Sequence, residues 1–493
     1  CSAVRIGEVW KHDRRIIFVT AASLVENFKK ELRSECAGDE YLTESERERL
    51  SKLHPTTKTY KDIISRSNER IDDYYDIYSY NKFISSIQKN KINFVNKVLI
   101  IDEIQNMVSE RGTYYKTLYN VLLKAPDDLR VIILSATPIF DKPVEIALTI
   151  NLLRPPVPLP VGGKFNETFL KATKLKNGDV KYKVKRMDKF KEMIKGYVSY
   201  FRGAPPVAFP QERLKYVKCN MSDFQYKSYK TVFSKEGPFR SGDILNLPNN
   251  FFIGSRIISN IAFPNKGTGK EGYDSLKGQY MENLQEYSIK FYKILRKIRR
   301  SDGPVFVYSN FKEYGGLKTF IKVLEYNGYK NYKTHGQGRK RYAEFSGEQT
   351  AEYKEEIRNI FNQKANTDGT KLKIILGSPA VKEGVSFMRV RQVHIIDPYW
   401  NLNRIIQIIG RAVRFCSHKD LPKDDRFVDI YVYIATHPDD TYTVDRHILE
   451  IAKRKDKIIS QFERAIKESS VDCWLNYNGN VYKGEDPLEC VKN

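Results

Sequence analysis

Short, unbroken apolar runs recur along the chain, and each stops abruptly on polar residues. Val98-Leu99-Ile100-Ile101 stops at Asp102-Glu103-Ile104-Gln105, and Val131-Ile132-Ile133-Leu134 stops at Ser135-Ala136-Thr137-Pro138. The pattern returns at Val305 to Tyr308, Ile374 to Leu376, Val393 to Ile396 and Val428 to Ile434. Such runs are what parallel strands covered on both faces look like, and their alternation with helical stretches predicts an α/β fold. Ligands of open α/β sheets bind at the carboxyl ends of the strands, so the polar residues after each run are candidate site residues. From Tyr442 to Ser469 the spacing turns to that of a long, charged amphipathic helix.

Breaks in this pattern divide the chain into two lobes of one architecture. Residues 1–155 form the first lobe, ending in a proline-rich stretch around Pro155, Pro156, Pro158 and Pro160. Residues 156–200, rich in lysine, are expected to connect the lobes through a helical element. Residues 201–436 form the second lobe, with an insertion around 234–280 whose Gly-, Pro- and Asn-rich stretches read as loops. Residues 437–493 are a C-terminal helix and an irregular tail. Tyr41 to Lys61 is polar and reads as a surface excursion.

Three clusters carry candidate chemistry. Asp102, directly after a strand, is placed to hold Mg²⁺, and Glu103 beside it to orient and polarise an attacking water. An acidic strand-to-helix cap is the plain alternative. On a helix, Gln407, Gly410, Arg411 and Arg414 fall at i, i+3, i+4 and i+7 and share one face. Two forked guanidiniums there suit a polyphosphate whose charge grows as a bond breaks. A basic solvated face is the plain alternative. Ser135 and Thr137 sit between these clusters in sequence.

Composition narrows the partners. Lys+Arg of 84 against Asp+Glu of 60 leaves +24, an excess that favours polyanions through counterion release. Six cysteines include no C-x-x-C pair, and Cys416-Ser417-His418 lacks a second ligand pair at zinc spacing, so free thiols in a reducing compartment are expected. No apolar run approaches the roughly 18 residues of a membrane span. Trp400 is expected to pack rather than to stack on a base or adenine.

Taken in order, these segments resemble the motifs of superfamily 2 helicases. Asp102 to Gln105 resembles motif II, Ser135-Ala136-Thr137 motif III and Gln407 to Arg414 motif VI. Ile16 to Val25 resembles motif Ia, Pro304 to Phe311 motif IV, and Ile374 to Phe387 motif V. Val393 to Asn401, followed by the arginine segment and Phe415-Cys416-Ser417-His418, is similar to helicases of the large cytoplasmic DNA viruses, poxvirus, asfar-like and mimi-like. Ser469 to Cys473 also resembles that group. Tyr197 to Gly203 and Met221 to Gln225 resemble duplex translocases of the chromatin-remodelling branch as well.

The resemblance implies two RecA-like parallel-sheet domains with a helical C-terminal extension and insertions, closing on ATP and Mg²⁺. It implies Arg414 as arginine finger, Arg411 as γ-phosphate sensor and Gln407 as a positioner of water or nucleotide. Gln105, Ser135, Thr137, Glu383, Gly384 and Gly410 would couple hydrolysis to lobe movement. Thr20, Ser23, Ser79, Tyr80, Ser309, Asn310, Phe311, Ser378, Pro379 and Ala380 would line a nucleic-acid groove, although Ser79-Tyr80 equally suits an ordinary helix cap. Nucleic acid, DNA ahead of RNA, and a viral RNA polymerase or second transcription-factor subunit are the implied partners, in the virion and the host cytoplasm.

One departure stands out. The family's phosphate loop, G-x-x-x-x-G-K-[ST], has no counterpart here. Gly267-Thr268-Gly269-Lys270 follows no apolar strand and reads as a polar loop. Cys1 to Trp10 resembles the helix that follows that loop, so the chain is expected to begin just downstream of it. A non-hydrolysing subunit that holds promoter DNA or the polymerase is the alternative this departure raises.

Overall fold

A computed structural model describes residues 2–54, 57–176, 178–239, 242–248, 250–379, 385–439, 442–482 and 484–491. Among these residues the first lobe holds a parallel sheet ordered β2-β1-β3-β4, from β1 (Arg15–Thr20), β2 (Tyr75–Ser79), β3 (Lys97–Ile101) and β4 (Arg130–Ile133). The unbroken apolar runs are explained by burial on both faces. Ile17, Val19, Leu99 and Ile101 pack into one core, while Ile16, Phe18, Val98 and Ile100 pack into another across the sheet.

A hairpin follows, β5 (Leu170–Lys174) antiparallel to β6 (Val180–Val184), between the helices Gly162–Phe169 and Met187–Ile194. The connection between the lobes was expected to be helical. The Val-Lys-Tyr-Lys-Val alternation of β6 has the period of a strand, which accounts for the hairpin.

The second lobe is a parallel sheet ordered β7-β13-β12-β8-β11-β10-β9. Its strands are β7 (Gln211–Asn220), β8 (Val305–Tyr308), β9 (Lys330–Asn331), β10 (Arg341–Phe345), β11 (Ile374–Gly377), β12 (Gln392–Ile395) and β13 (Phe427–Thr436). Residues of β8 and β11 again alternate between two cores. The insertion carries helices Ile253–Asn260 and Lys270–Ser275, so the stretch from Asn265 to Gly278, expected as loop, is partly helical. The excursion from Tyr41 likewise contains a helix, Glu44–Lys52, closed by a capping box between Thr43 and Glu46.

The lobes share a core. Ile139, Ile146 and Ile150 of the first, Phe165, Phe169 and Phe190 of the connection, and Phe251 and Trp400 of the second converge on Ile448, Ile459 and Phe462 of the C-terminal helix Val444–Glu468. Trp400 thus packs, as expected, at 7% exposure. The tail folds back on that helix, with the Val491 N–H donating to the Glu468 carbonyl at 2.8 Å and the Glu489 N–H to Glu468 Oε1 at 3.1 Å.

This return corrects the free-thiol expectation. Cys473 and Cys490 are disulfide-bonded, with Cα atoms 5.7 Å apart, and Cys36 is disulfide-bonded too. The Cys473 partner is 17 residues away, a spacing with no local signature. Cys219 and Cys416 are free. Among the described residues no helix is long and apolar enough to cross a membrane.

Glu145 anchors the segment that follows motif III. Its Oε2 accepts the N–H groups of Phe140 and Asp141 at 2.6 and 2.9 Å, and burial raises its carboxyl to about 7. A folded pKa above the unfolded value favours the fold below the unfolded pKa, and that contribution is lost as pH rises through about 7. Glu145→Gln keeps an acceptor and removes the charge. Thermal melts from pH 5 to 8 should therefore show the variant losing less stability than the parent, by on the order of 2 kcal/mol. Parallel pH profiles would contradict this.

Candidate nucleotide cleft

Strand register brings the first set of polar residues to one edge. Val19, Ile101 and Ile133 are neighbours across β1, β3 and β4, so the chain leaves all three strands at the same level. The Asp102 N–H donates to the Val19 carbonyl at 2.9 Å, and the Leu134 N–H to the Ile101 carbonyl at 2.8 Å. Glu103 then adopts a left-handed conformation, φ 51° and ψ 50°. A non-glycine residue held there is the kind of strain that clusters at functional sites. Tyr80, buried on the neighbouring helix Tyr80–Gln88, donates its hydroxyl to the Asp102 carbonyl at 2.7 Å.

Side chains then form a chain of hydrogen bonds across the cleft. Gln105 Nε2 donates to Glu103 Oε2 at 2.5 Å, and Ser135 Oγ donates to Gln105 Oε1 at 2.7 Å. Ser135 Oγ in turn accepts the Thr137 N–H at 3.1 Å. Gln407 Nε2 of the second lobe donates to Thr137 Oγ1 at 3.1 Å. Motifs II, III and VI are thereby joined by direct contacts.

The arginines arrive differently from the sequence expectation. The helix spans Leu402–Ile409 and ends before them. Arg411 and Arg414 stand on the turn that follows, so one continuous helical face is corrected to a helix end plus a turn. The Arg411 and Ala412 N–H groups reach back only three residues, to the Ile408 and Ile409 carbonyls, which tightens the last turn. The Arg411 carbonyl accepts the Phe387 N–H at 2.8 Å, tying this turn to the end of motif V. Gly410 has an ordinary φ of −61°, and an added Cβ would lie 3.3 Å from the Ile406 carbonyl.

Charge is poorly compensated in this cleft. Burial, then the Glu103 charge, raises the Asp102 carboxyl to about 6. Burial lowers the Arg414 pKa, and the attraction of Glu103 opposes that shift, so the two residues feel each other across the cleft. Among the described residues the buried Arg414 Nε has no hydrogen-bond acceptor. A desolvated carboxylate at Asp102 and a desolvated guanidinium at Arg414, each within electrostatic reach of Glu103, are a donor set that fits a divalent cation and a polyphosphate.

The residues expected to line a nucleic-acid groove divide. Ser23 is exposed, and Asn310, Phe311 and Pro379 are half-buried at the carboxyl edge of the second sheet. Thr20 and Ser378 are buried at their strand ends. Ser309 is fully buried and donates its hydroxyl to Asp397 at 2.5 Å. Ser79 caps the helix Tyr80–Gln88, accepting the Lys82 N–H at 3.4 Å. Tyr80 supports motif II from below. For Ser79 and Tyr80 the helix-cap alternative is what the geometry displays. Ala380, Glu383 and Gly384 lie outside the described residues.

Several residues that organise the cleft have no signal in the sequence pattern. Asp397 gathers the motif IV loop, accepting from Ser309, from the Asn310 N–H and from Asn310 Nδ2 at 2.7 Å. Asn401 donates to the Phe140 carbonyl, and Asn403 to the Ile139 carbonyl at 2.6 Å. Lys455, 2% exposed, pairs with Asp141 at 2.6 Å. These last three hold the segment after motif III against the second lobe or the C-terminal helix. Asn401 is legible as an N-cap, its side chain accepting the Asn403 N–H, but its cross-cleft role has no local signal. Cys416-Ser417-His418 holds no metal cluster among the described residues; His418 bonds Ser417 and the Val390 carbonyl.

Comparison with known proteins agrees with this architecture. The SNF2-related domain matches residues 5–298, the helicase conserved C-terminal domain residues 289–416, and the nucleoside triphosphatase I C-terminal domain residues 418–488. A putative ATP-dependent RNA helicase of Acanthamoeba polyphaga mimivirus is 52% identical over 99% of this chain and 86% of its own length. A putative helicase of invertebrate iridescent virus 3 is 28% identical over 96% of this chain, which spans about half (49%) of that relative. Nucleoside triphosphatase I of Heliothis armigera entomopoxvirus is 26% identical, with 86% and 69% of the two chains covered. The chain belongs to the SNF2-related helicase family, in its large-DNA-virus branch, and is an ATP-hydrolysing enzyme of that class.

Proposed function

We propose that this enzyme is a nucleic-acid-dependent motor that hydrolyses ATP between its two lobes and acts in viral transcription. The observation that carries the reading is the hydrogen-bonded path from Glu103 through Gln105, Ser135 and Thr137 to Gln407, with Arg414 in electrostatic reach of Glu103. Asp102 would hold Mg²⁺, which when bound neutralises charge on the nucleotide phosphates. Glu103 orients the attacking water and takes its proton. Arg414 answers the charge that grows on the transferring phosphoryl group, Arg411 reads the γ-phosphate, and Gln407 positions the water or nucleotide. Because Gln407 bonds Thr137, a change at the phosphate alters a contact between lobes, which is the coupling a motor needs. Glu383, Gly384 and Gly410 are assigned to the same coupling.

Thr20, Ser23, Asn310, Phe311, Ser378, Pro379 and Ala380 are proposed to face the nucleic acid, directly or by shaping the loops that do, and Ser79 caps the helix behind them. Ser309 and Tyr80 act in this reading as supports. DNA is favoured over RNA, and a viral RNA polymerase or a second transcription-factor subunit is the proposed partner, in the virion and the host cytoplasm. The SNF2-related match over residues 5–298 favours tracking along a duplex over strand separation.

Three outcomes test this in the full-length protein. Glu103→Gln should bind nucleotide normally and lower kcat by about 10²- to 10⁴-fold; normal turnover would remove Glu103 from its role. Arg414→Ala should lower kcat by roughly 10³-fold or more with little change in nucleotide affinity, and equal losses in both would argue against a finger. ATP hydrolysis should rise more with duplex than with single-stranded DNA of equal length. Stimulation by the single strand alone would contradict duplex tracking.

A further inference from the structure

The β5–β6 hairpin presents a face that the nucleotide cleft does not use. Residues alternate between its two sides. Val180, Tyr182 and Val184 point one way and are partly buried, and Tyr182 and Val184 pack on the shared core that includes Phe165 and Phe462. The Tyr182 hydroxyl donates to Asp243 at 2.8 Å, the Val180 N–H to the Gly242 carbonyl at 2.9 Å, and Arg454 donates to the Val180 carbonyl at 3.1 Å. The hairpin is thus fixed to both the C-terminal helix and the insertion of the second lobe.

Its other side carries Lys171, Thr173, Lys181 and Lys183, all exposed. Register sets Lys171 directly opposite Lys183 and Thr173 opposite Lys181. Like charges directly opposed weaken a ladder, so this arrangement works against the hairpin unless an anion lies across it. Residues 170–186 contain seven basic side chains and one acidic. That acid, Asp179, faces Arg454 at 3.7 Å. Among the described residues Lys171, Lys181 and Lys183 have no carboxylate within ion-pair distance.

We infer that this lysine face binds the sugar-phosphate backbone of duplex nucleic acid, outside the motif-lined groove. Charge complementarity selects a polyanion. The absence of an outward aromatic selects the duplex, because sites for single strands stack exposed bases on aromatic rings and the hairpin's Tyr182 is turned inward. Lysines on a strand face offer point charges without base-reading geometry, so the contact is independent of sequence. The inference rests on the nucleic-acid-dependent reading above and adds to it a named surface and strandedness.

The test compares the full-length protein with a Lys171→Gln, Lys181→Gln, Lys183→Gln triple variant. Anisotropy of a short labelled duplex, measured over a salt series, should give a log K against log salt slope shallower by about 2.7 in the variant, roughly 0.9 for each phosphate no longer neutralised. Unstimulated ATP hydrolysis should stay unchanged and the thermal midpoint should not fall, since the variant relieves the opposed charges of Lys171 and Lys183, and the corresponding triple arginine variant should keep the parent slope. Binding of an equal-length single strand should change less than binding of the duplex. An unchanged duplex slope would overturn the hairpin assignment while leaving the motor reading intact, and would leave an acidic protein segment as the occupant. Equal losses for duplex and single strand would overturn the strandedness. A parent protein that binds no nucleic acid would overturn both readings.

Discussion

The hydrogen bond between Gln407 and Thr137 joins the two lobes at the cleft, and the proposed cooperation of the lobes depends on it. In the proposed site each lobe presents one half, with carboxylates on one side and guanidiniums on the other. Burial costs these charges, as the raised Asp102 and lowered Arg414 pKa values show. A cation and a polyphosphate between them would offset that cost. Gln105 donates to Glu103 and accepts from Ser135, which fixes the orientation of the acid.

Around this contact further hydrogen bonds, ion pairs and a shared core join the lobes. Asn401 and Asn403 hold the backbone at Ile139 and Phe140, and Lys455 holds Asp141 from the C-terminal helix. That helix buries Ile448, Ile459 and Phe462 in a core to which both lobes and their connection contribute. An exposed pair, Lys30 with Glu355 at 2.6 Å, also spans the lobes, but pairs of that exposure contribute little. The tail adds another tie: Asp472 accepts from Ser199 and from the Tyr200 N–H, and Asn480 Oδ1 accepts the Arg202 N–H, so the strap between lobes is itself held. Movement during turnover would have to proceed by sliding packed surfaces, with the side-chain path as the part that switches.

Much of this was legible in the sequence because two-sided burial writes itself as unbroken apolar runs. Lys97–Ile101 and Arg130–Ile133 are strands where Val98 to Ile101 and Val131 to Leu134 predict them, and the polar residues after them lie at one edge. The parallel register does the rest, since it sets Ile101 beside Ile133 and so delivers Asp102 and, one residue further past its own strand, Ser135 to the same edge. What escaped were features with no local period. The hairpin's alternation, Val180 to Val184, spans only five residues inside a lysine-rich stretch between two helices, too short to stand out from the helical pattern around it. Asn401, Asn403 and Lys455 act over separations of hundreds of residues, and the Cys473–Cys490 bond depends on a tail folding back. The helix before the arginines ends one turn earlier than its apolar spacing suggests, because Gly410 begins a tighter turn.

One triphosphate clamped by acid from the first lobe and guanidinium from the second is the central claim. An experimental structure of the full-length enzyme trapped with a transition-state analogue of the γ-phosphate tests it most directly. The predicted result is an analogue with Glu103 on its water side and Arg411 and Arg414 on its phosphoryl oxygens, the Thr137–Gln407 contact intact or shifted by about one rotamer. An analogue bound away from these residues, with Glu103 and Arg414 facing separate surfaces, would contradict it.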